Sequence, residues 1–316
     1  MKVSPINRNT IDLSIIILNY NSGDYLSKCL HSLDKSKIGS YKIEVIVVDN
    51  ASSDTSFLLP QKEFKSNKLD IRFLPLKTNL GFAAGNNRGV KEISPKSKYV
   101  LFLNPDTLVD SNTLSHMIAL FSNNKNIDAA TCAVTLALTN SLQPECHRGF
   151  PTPWRSFCYF SGLSRLFPNS KIFGGYFLGH LDKTKLHPIE ACVGAFLMVR
   201  KDVGKSIGWW NEKYFFYGED LDFCYKLFKK GYRLYFDPNC NITHFQGISS
   251  GIKKQSQKFS KASRETKIRS AKASTSAMRI FYQENYFGSY PKITKTLVMA
   301  GINMLEQIRV FKAKYL

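Results

Sequence analysis

The stretch that decides the fold is Leu13-Ser-Ile-Ile-Ile-Leu18, which is followed directly by Asn19-Tyr20-Asn21. It is a continuous apolar run rich in β-branched side chains, which is typical of a strand that is buried on both faces. Strands of this kind belong to parallel sheets with helices above and below them. The run therefore predicts the first strand of a parallel sheet.

Further strands and helices alternate after this run, at a spacing that favours a doubly wound α/β sheet. Buried strands are predicted over residues 44–48, 71–74 and 99–103, because each is short, apolar and bounded by polar or turn residues. Helices are predicted over residues 25–33, 81–90 and 112–121, which carry apolar side chains at helical spacing or follow a glycine-rich turn. The fold class predicted is therefore α/β, with a mainly parallel sheet flanked by helices.

Composition excludes several classes of protein. The chain has 316 residues, of which 43% are hydrophobic, so it can bury a large core and is not a disordered protein. Seven scattered cysteines without C-x-x-C spacing indicate neither a zinc site nor a disulfide framework, and they suit a reducing cytoplasm. No apolar window approaches the roughly 18 residues of a membrane span. We therefore expect a cytoplasmic protein that is not integral to a membrane.

Polar side chains follow the ends of the four predicted strands, where open α/β sheets bind their ligands. No G-x-G-x-x-G follows the first strand, so a dinucleotide fingerprint is absent. Asp49 is a candidate acceptor for the N3 hydrogen of a pyrimidine, although it also suits a turn or a helix cap. Together these residues predict a nucleotide site lined by Asn19, Tyr20, Asn21, Asp49, Asn79, Asn86 and Asn104.

Two short acidic signals indicate the chemistry. Asn104-Pro-Asp106 ends the fourth strand, and Glu219-Asp220-Leu-Asp222 opens an amphipathic segment. Carboxylates at a strand end and at a helix start can face each other across the crevice, one holding a metal-bound diphosphate and the other acting as a general base. Each signal also has a plain structural explanation, as a turn and as acids at a positive helix N-terminus.

Five motifs in this order resemble the family 2 glycosyltransferases of GT-A fold, and in particular their rhamnosyltransferase branch. The resemblance spans about residues 13–250, whereas the last 65 residues carry no comparably specific motif. The motifs are Ser14-Ile-Ile-Ile-Leu-Asn-Tyr-Asn21, Val47-Val-Asp-Asn-Ala-Ser-Ser-Asp54, Asn79-Leu-Gly-Phe-Ala-Ala-Gly-Asn-Asn-Arg-Gly89, Leu103-Asn-Pro-Asp106 and Phe216-Tyr-Gly-Glu-Asp-Leu-Asp222.

The resemblance implies roles for the acidic residues. Asp106 is the expected ligand of Mg²⁺ or Mn²⁺, and Asn104 stands where family members often have an aspartate, which leaves fewer charges on the metal. Asp220 is the expected general base, with Glu219 beside it opposing its ionisation. His244 stands where many GT-A enzymes contact the metal or the diphosphate, although a lone histidine is as often structural.

The same resemblance suggests where the acceptor binds. Gly194 and Ala195 lie in a segment that resembles the central strand of the family and would let substrate approach the backbone, although small residues equally suit strand packing. Trp209 and Trp210 are candidates for an aromatic wall, with core packing as the alternative. Asp222 completes the candidate acceptor residues.

Residues 1–251 are predicted to form the catalytic domain. Residues 1–11 are expected to be a mobile arm, and residues 140–188 an acceptor or lid region, irregular over 146–177, in which Arg148 or Arg155 touches the diphosphate. Residues 252–316 hold fourteen Lys and Arg against three Asp and Glu, which accounts for more than half of the net charge of +20. This region is predicted to form basic amphipathic helices that bind a membrane surface, the catalytic domain or another subunit.

The function implied is inverting transfer of a sugar, with L-rhamnose from dTDP-L-rhamnose as the expected donor, onto a glycan or lipid-linked saccharide of a bacterial surface polysaccharide. UDP-hexoses and UDP-N-acetylhexosamines are the alternative donors. We expect the protein to lie peripherally on the inner face of the cell membrane. A basic nucleic-acid-binding protein is the remote alternative, against which stand the acidic motifs and the lack of any nucleic-acid-binding motif. We therefore expect no nucleic-acid partner.

Overall fold

A computed structural model describes residues 10–245 and 264–315. The predicted arm therefore lies largely outside the described residues, and β1 begins at Ile11, so the arm does not extend to residue 11 as predicted. The part of the predicted basic region that precedes residue 264 also lies outside them.

The described strands and helices alternate through the first half of the chain, as predicted, and helices occupy its end. The strands are β1 Ile11–Asn19, β2 Ile43–Asp49, β3 Asp70–Pro75, β4 Ser97–Leu103, β5 Thr107–Val109, β6 Ala129–Leu136, β7 Ser141–Leu142, β8 His187–Ile189, β9 Phe196–Arg200 and β10 Leu234–His244. The helices are α1 Tyr25–Lys35, α2 Leu58–Glu63, α3 Phe82–Glu92, α4 Thr113–Asn123, α5 Pro153–Phe160, α6 Leu163–Leu166, α7 Lys201–Ser206, α8 Glu219–Lys229, α9 Arg264–Asn285 and α10 Lys292–Tyr315.

The strands form one mixed sheet in the order β3-β2-β1-β4-β9-β6-β10-β5, with β7 and β8 attached to β6 and β10. The pairs among β3, β2, β1 and β4 are parallel, as the sequence predicted. β9 runs antiparallel between β4 and β6, and β10 pairs parallel with β6. The α/β class with a mainly parallel sheet is confirmed, and the antiparallel strands are the part that strand patterns alone did not show.

The core is built around β1 and β2. Ile15, Ile16 and Ile17 are fully buried, and every residue of β2 is buried, because helices cover both faces of these strands. α3 packs closely on the sheet through Gly89, where an added Cβ would lie 2.6 Å from Cγ2 of Ile16. All seven cysteines are buried free thiols, in agreement with the absence of a disulfide framework.

The lid region is more regular than predicted. Residues 146–177 contain the short helices α5 and α6, whereas the sequence was interpreted there as an irregular stretch. α5 begins with Pro153 after Thr152, whose side chain accepts a hydrogen bond from the backbone N–H of Arg155. A capping threonine followed by proline is a helix-start signal that the aromatic and proline-rich composition obscured.

The C-terminal region is helical, as predicted. α9 packs against α8, with the ring of Tyr225 5.6 Å from Phe281 and 5.5 Å from Tyr286. α10 has no buried residue and is tied to α9 by polar contacts, of which one joins Arg279 to Glu306. Across residues 10–245 and 264–315, none of the helices combines the length and apolar character that a membrane span requires.

Candidate active site

Asp106 and His244 lie together although 137 intervening residues separate them in sequence. β5 pairs antiparallel with β10, and the register sets Thr107 opposite His244. Asp106 directly precedes Thr107, and its carbonyl accepts a hydrogen bond from the backbone N–H of Phe245. The strand register therefore brings Oδ1 of Asp106 to 3.2 Å from Nε2 of His244.

The second ring nitrogen of His244 is held by Gln143. Nδ1 of His244 lies 2.8 Å from Oε1 of Gln143, and both side chains are buried. If Nδ1 donates to this amide oxygen, Nε2 carries a lone pair that points at the Asp106 carboxylate. Two lone-pair groups 3.2 Å apart need a proton or a cation between them.

This pair fits a divalent metal ion. Ligand atoms that share a metal at about 2.0–2.2 Å lie about 3 Å from each other, which is the separation found here. Burial raises the pKa of the Asp106 carboxyl, but the charge and hydrogen bond of His244 outweigh it, so that the pKa is lowered on balance. Asp106 is therefore ionised at neutral pH, as a metal ligand must be.

A second group of potential ligands lies elsewhere on β10. His116, Asp237 and Cys240 hold their ligand atoms within 4.8 Å of one another. Asp237 already accepts hydrogen bonds from Asn239 and lies 2.8 Å from His116, as in a buried structural pair. Of these two groups, the Asp106 pair is the one whose facing ligand atoms are not already joined by such a network.

A strained loop presents the second acidic motif. Tyr217 and Gly218 both have positive φ, 73° and 80°, immediately before α8. The preceding Phe215 is fixed against Gly81, because its carbonyl accepts a hydrogen bond from the N–H of Phe82 and a Cβ on Gly81 would lie 2.5 Å from its carbonyl oxygen. This loop fixes the start of α8, whose first turn carries Glu219, Asp220 and Asp222.

Arg148 forms an ion pair with Asp220. Its guanidinium donates to Oδ2 of Asp220 across 2.8 Å, and the other carboxylate oxygen accepts the N–H of Leu221. Arg148 is buried, and its backbone pairs with Ala191 in an isolated antiparallel bridge. Arg155, the other predicted diphosphate contact, instead makes two hydrogen bonds to the carboxylate of Glu190.

Glu219 is a buried carboxyl without a hydrogen-bond partner on its Oε2. Burial, and then the charge of Asp220, raise the pKa of Glu219 to about 8, whereas Arg148 lowers it. Glu219 is therefore largely protonated at neutral pH.

The segment Cys192 to Ala195 links the two carboxylate sites. The carbonyl of Cys192 accepts a hydrogen bond from Arg148, and the carbonyl of Ala195 accepts the N–H of Asn104. Three residues of extended chain span at most about 11 Å. The Asp106–His244 pair and the Arg148–Asp220 pair therefore flank one short segment at the same part of the sheet.

The side chains of two predicted nucleotide residues already form hydrogen bonds within the protein. Asn19 is fully buried and donates to Asp49, Ser52 and Ser56, so its amide group is already engaged within the protein. Asp49 is also buried and accepts three hydrogen bonds from Asn19 and Ser52, which is the turn role left open above.

Asn86 is likewise buried, and its amide donates to the carbonyl of Phe82 one turn earlier in α3. Its amide is therefore engaged within α3. Tyr20 is exposed, and Asn21, Asn79 and Asn104 are partly exposed, so these four remain candidates.

The predicted acceptor residues are mostly internal. Trp210 is 2% exposed and packs edge-on against Phe82 and Phe102, so it forms core rather than an acceptor wall. Asp222 is buried and approaches Asn285 of α9, so its side chain faces the C-terminal helix. Trp209 is partly buried with its ring 6.1 Å from that of Phe102.

Gly194 and Ala195 precede β9 rather than lying within it. A Cβ on Gly194 would come within 3.4 Å of the ring of Phe82, so an internal packing contact already explains the small residue. Ala195 is buried and meets Asn104 through its carbonyl.

Sequence reasoning missed two residues of the site and left a third undecided. Gln143, which orients His244, lies in no recognisable motif, and neither does Tyr176, whose pKa burial raises and the nearby charge of Arg148 lowers. The pairing of Arg148 with Asp220 was not predicted, because the sequence offers several acidic residues as possible ion-pair partners for an isolated arginine. In each case the partner is far away in sequence.

Comparison with known proteins gives a consistent result. Residues 14–208 match the family Glycosyl transferase family 2. The chain is 27% identical over 220 residues to a low-salt glycan biosynthesis hexosyltransferase of Haloferax volcanii, covering 68% of this chain but only 61% of that protein. It is 23% identical over 248 residues to the N-acetylglucosaminyl-diphospho-decaprenol L-rhamnosyltransferase of Mycobacterium tuberculosis, covering 76% of this chain and 78% of that protein.

The fold is that of solved glycosyltransferases. A mannosyltransferase from Pyrobaculum calidifontis, solved with GDP-Man and Mn²⁺, superposes with a TM-score of 0.56 at 15% identity, covering 97% of this chain and 74% of that one. The predicted GT-A architecture with a helical C-terminal extension is confirmed.

Proposed function

Because the chain belongs to Glycosyl transferase family 2, we propose that it is an inverting glycosyltransferase that moves a sugar from a nucleoside-diphosphate donor to a saccharide acceptor. The observation that carries the proposal is the position of two side-chain pairs, Asp106–His244 and Arg148–Asp220, on either side of residues 192–195. Each pair contains one carboxylate, which faces an imidazole in the first pair and a guanidinium in the second. One pair suits a metal and a diphosphate, and the other suits a proton acceptor.

Asp106 and His244 are the residues that would hold Mg²⁺ or Mn²⁺, which neutralises charge on the leaving diphosphate when bound. Gln143 keeps the imidazole of His244 oriented, in the manner of the outer partners of metal-binding histidines. The side chain of Asn104, next to this pair in sequence, is neutral and suits a hydrogen bond to a ribose hydroxyl.

Asp220 is proposed as the general base. The acceptor hydroxyl attacks the anomeric carbon as the bond from that carbon to the diphosphate oxygen breaks, which inverts the configuration, and the hydroxyl proton passes to Asp220. Arg148 orients one oxygen of this carboxylate. Glu219 is protonated at neutral pH, so it places no second negative charge beside the proposed base.

The proposed donor is dTDP-L-rhamnose, and the proposed acceptor is a glycan or a lipid-linked saccharide of a surface polysaccharide. The support is the resemblance to the rhamnosyltransferase branch and the similarity to the mycobacterial L-rhamnosyltransferase, whose name contains a diphospho-decaprenol acceptor. A UDP-hexose or UDP-N-acetylhexosamine donor is the second candidate, favoured by the similarity to the archaeal hexosyltransferase.

We further propose that residues up to 251 act as the catalytic unit and that α10 contacts a membrane surface. Exposed apolar side chains recur along one side of this helix at Leu297, Met304, Ile308 and Phe311. Its basic residues outnumber the acidic ones by five to one, and that acid, Glu306, is paired with Arg279. An exposed apolar stripe bordered by lysines is typical of helices that lie on anionic bilayers.

Thermal unfolding with nucleotides tests the proposed function. The purified protein is unfolded with dTDP, UDP, dTDP-rhamnose or UDP-glucose, each with and without Mg²⁺ or Mn²⁺. A ligand at 100 times its dissociation constant adds about 2.7 kcal/mol to the free energy of unfolding. Metal-dependent stabilisation by the thymidine compounds supports the rhamnosyl donor, preference for uridine supports the second candidate, and no response to any nucleotide contradicts both.

A further inference from the structure

The lid carries an exposed aromatic surface that the transfer reaction does not explain. Trp154 and Phe157 of α5 are 49% and 56% exposed, and their rings stack with centroids 5.7 Å apart. Trp154 also meets Phe173, which in turn meets Phe167, at 6.2 Å and 5.4 Å. These four rings form one contiguous surface, which we call the aromatic platform.

Aliphatic side chains extend the platform. Leu166 of α6 is 72% exposed, and Ile172 is 62% exposed. The indole N–H of Trp154 donates to the carbonyl of Ile172, so the two parts are held together. Monomeric proteins rarely leave large contiguous apolar patches in water, and such patches mark sites of interaction with proteins, membranes or ligands.

The charges around the platform select among these partners. Arg165 and Lys171 are exposed on either side of Phe167, and Lys183 and Lys185 follow within the lid. Between residues 149 and 186 the only acid is Asp182, which lies 3.3 Å from Lys185 in an ion pair. A second copy of this surface would bring the same positive excess against itself, whereas an anionic surface complements it.

We propose that the aromatic platform inserts into an anionic lipid bilayer, with Arg165 and Lys171 at the level of the phosphates. Aromatic rings with a polar edge, such as the indole of Trp154, favour the interface between hydrocarbon and headgroups. A cavity of about 420 Å³ beside the platform is lined by Phe177 and Lys183 among others, and it offers space for a headgroup. This membrane contact rests on the proposed function, because it would serve an enzyme whose acceptor is linked to a lipid.

The platform is connected through α5 to residues beside the proposed catalytic base. The ring of Tyr159 in α5 is 5.2 Å from that of Tyr176. Burial raises the pKa of Tyr176, and the nearby charge of Arg148, the partner of Asp220, opposes this rise. Docking the platform would therefore hold the acceptor side of the proposed site at the bilayer surface.

Trp154 itself provides the probe. It is the one strongly exposed tryptophan, since Trp210 is buried and Trp209 partly buried. The full-length protein is mixed with phosphatidylcholine vesicles with and without phosphatidylglycerol, in the absence of any sugar nucleotide. We expect a blue shift of its emission and quenching by brominated acyl chains with the anionic vesicles alone, and both signals vanish in Trp154→Phe while vesicle binding persists.

Two double variants separate the platform from α10. Phe157→Ser with Phe167→Ser should weaken vesicle binding at least about tenfold, because two exposed aromatic anchors are removed, while dTDP or UDP stabilises the variant as it does the wild type. Leu297→Ser with Phe311→Ser should weaken binding but leave the Trp154 shift in the bound fraction.

Three outcomes would overturn the inference. Vesicle binding without any change at Trp154, and with full affinity in the Phe157 and Phe167 variant, would leave α10 as the membrane element. No vesicle binding by the wild type, with nucleotide stabilisation intact, would remove the membrane contact but keep the transferase. A concentration-dependent shift of Trp154 without vesicles would assign the platform to a second copy of the chain.

Discussion

Arg148 and Asp220, 72 positions apart in sequence, form a largely buried ion pair with 2.8 Å between guanidinium nitrogen and carboxylate oxygen. The arginine lies in the lid region and the aspartate in the first turn of α8, so the pair joins two parts of the chain that no strand pairing connects. It also fixes the orientation of the carboxylate that we propose as the base. The consequences can be measured on stability as well as on transfer.

Replacing Arg148 by Met should destabilise the fold by about 3 kcal/mol, because it leaves the Asp220 carboxylate without its cation in a largely buried place. Arg148→Lys should cost less, since the charge remains but the planar guanidinium does not. Urea unfolding measures both. Arg155→Met is the matched control, because its partner Glu190 is more exposed and a loss of about 1 kcal/mol is expected. Equal stability of Arg148→Met and wild type would contradict the role of the pair.

Asp220→Asn should lower the turnover number by at least about a hundredfold, because the amide cannot accept the proton of the acceptor hydroxyl. Donor binding should persist, since the diphosphate is assigned to Asp106 and His244. Steady-state kinetics and calorimetric donor titration give the two quantities separately. Near-normal turnover combined with lost donor affinity would contradict the role of Asp220 as the base and indicate that it binds the donor.

Asp106→Asn should weaken metal-dependent nucleotide binding at least about tenfold, because one charged ligand is removed. His244→Gln should act in the same direction. Chelation of divalent ions should bring the wild type to the level of these variants in a thermal unfolding assay with nucleotide. Asp110→Asn makes the same charge change at an exposed position after β5 and should behave as wild type. Unchanged metal dependence in Asp106→Asn would refute the assignment.

Glu219 predicts how stability changes with pH. Burial and the charge of Asp220 raise its pKa to about 8 in the folded protein, against 4.5 for an ordinary glutamate. Between these values the folded state binds one more proton than the unfolded state, so stability is full at low pH and falls as the pH rises through about 8. The slope is at most about 1.4 kcal/mol per pH unit.

The Glu219→Gln variant should lack this contribution, so its free energy of unfolding should vary less between about pH 5 and pH 8. Urea unfolding at several pH values measures it. Glu63→Gln, at an exposed position of α2, should keep the pH dependence of the wild type. A parallel pH dependence in Glu219→Gln and wild type would contradict the raised pKa.

Gly81→Ala should destabilise the protein by more than about 2 kcal/mol and also reduce transfer. Its φ of 82° disfavours any L side chain, and the new Cβ would press on the Phe215 carbonyl that fixes the loop before α8. Gly23→Ala is the control, because its φ is 59° but nothing lies within 4 Å of the new atom, so about 1 kcal/mol is expected. Similar losses in both variants would show that the Phe215 contact has no effect of its own.

The sequence alone determined the strands β1 to β4, the helices α1, α3 and α4 and the helical C-terminal region, because apolar periodicity is local and reports directly which faces are covered. It also identified Asp106, Asp220 and His244 as candidates through motifs that resemble a known family. The distances between these residues remained open, since a sequence motif does not specify where its residues lie relative to those of another motif.

Only the tertiary structure decided which polar side chains turn inward. Asn19, Asn86 and Asp222 have the residue types of a binding site, yet they are buried against partners within the protein. The register of β5 against β10 set Asp106 beside His244, and the folded lid region placed Arg148 next to Asp220. These contacts join residues far apart in the chain, and a buried polar group takes whichever partner the packed fold brings within hydrogen-bond distance, which no local pattern encodes.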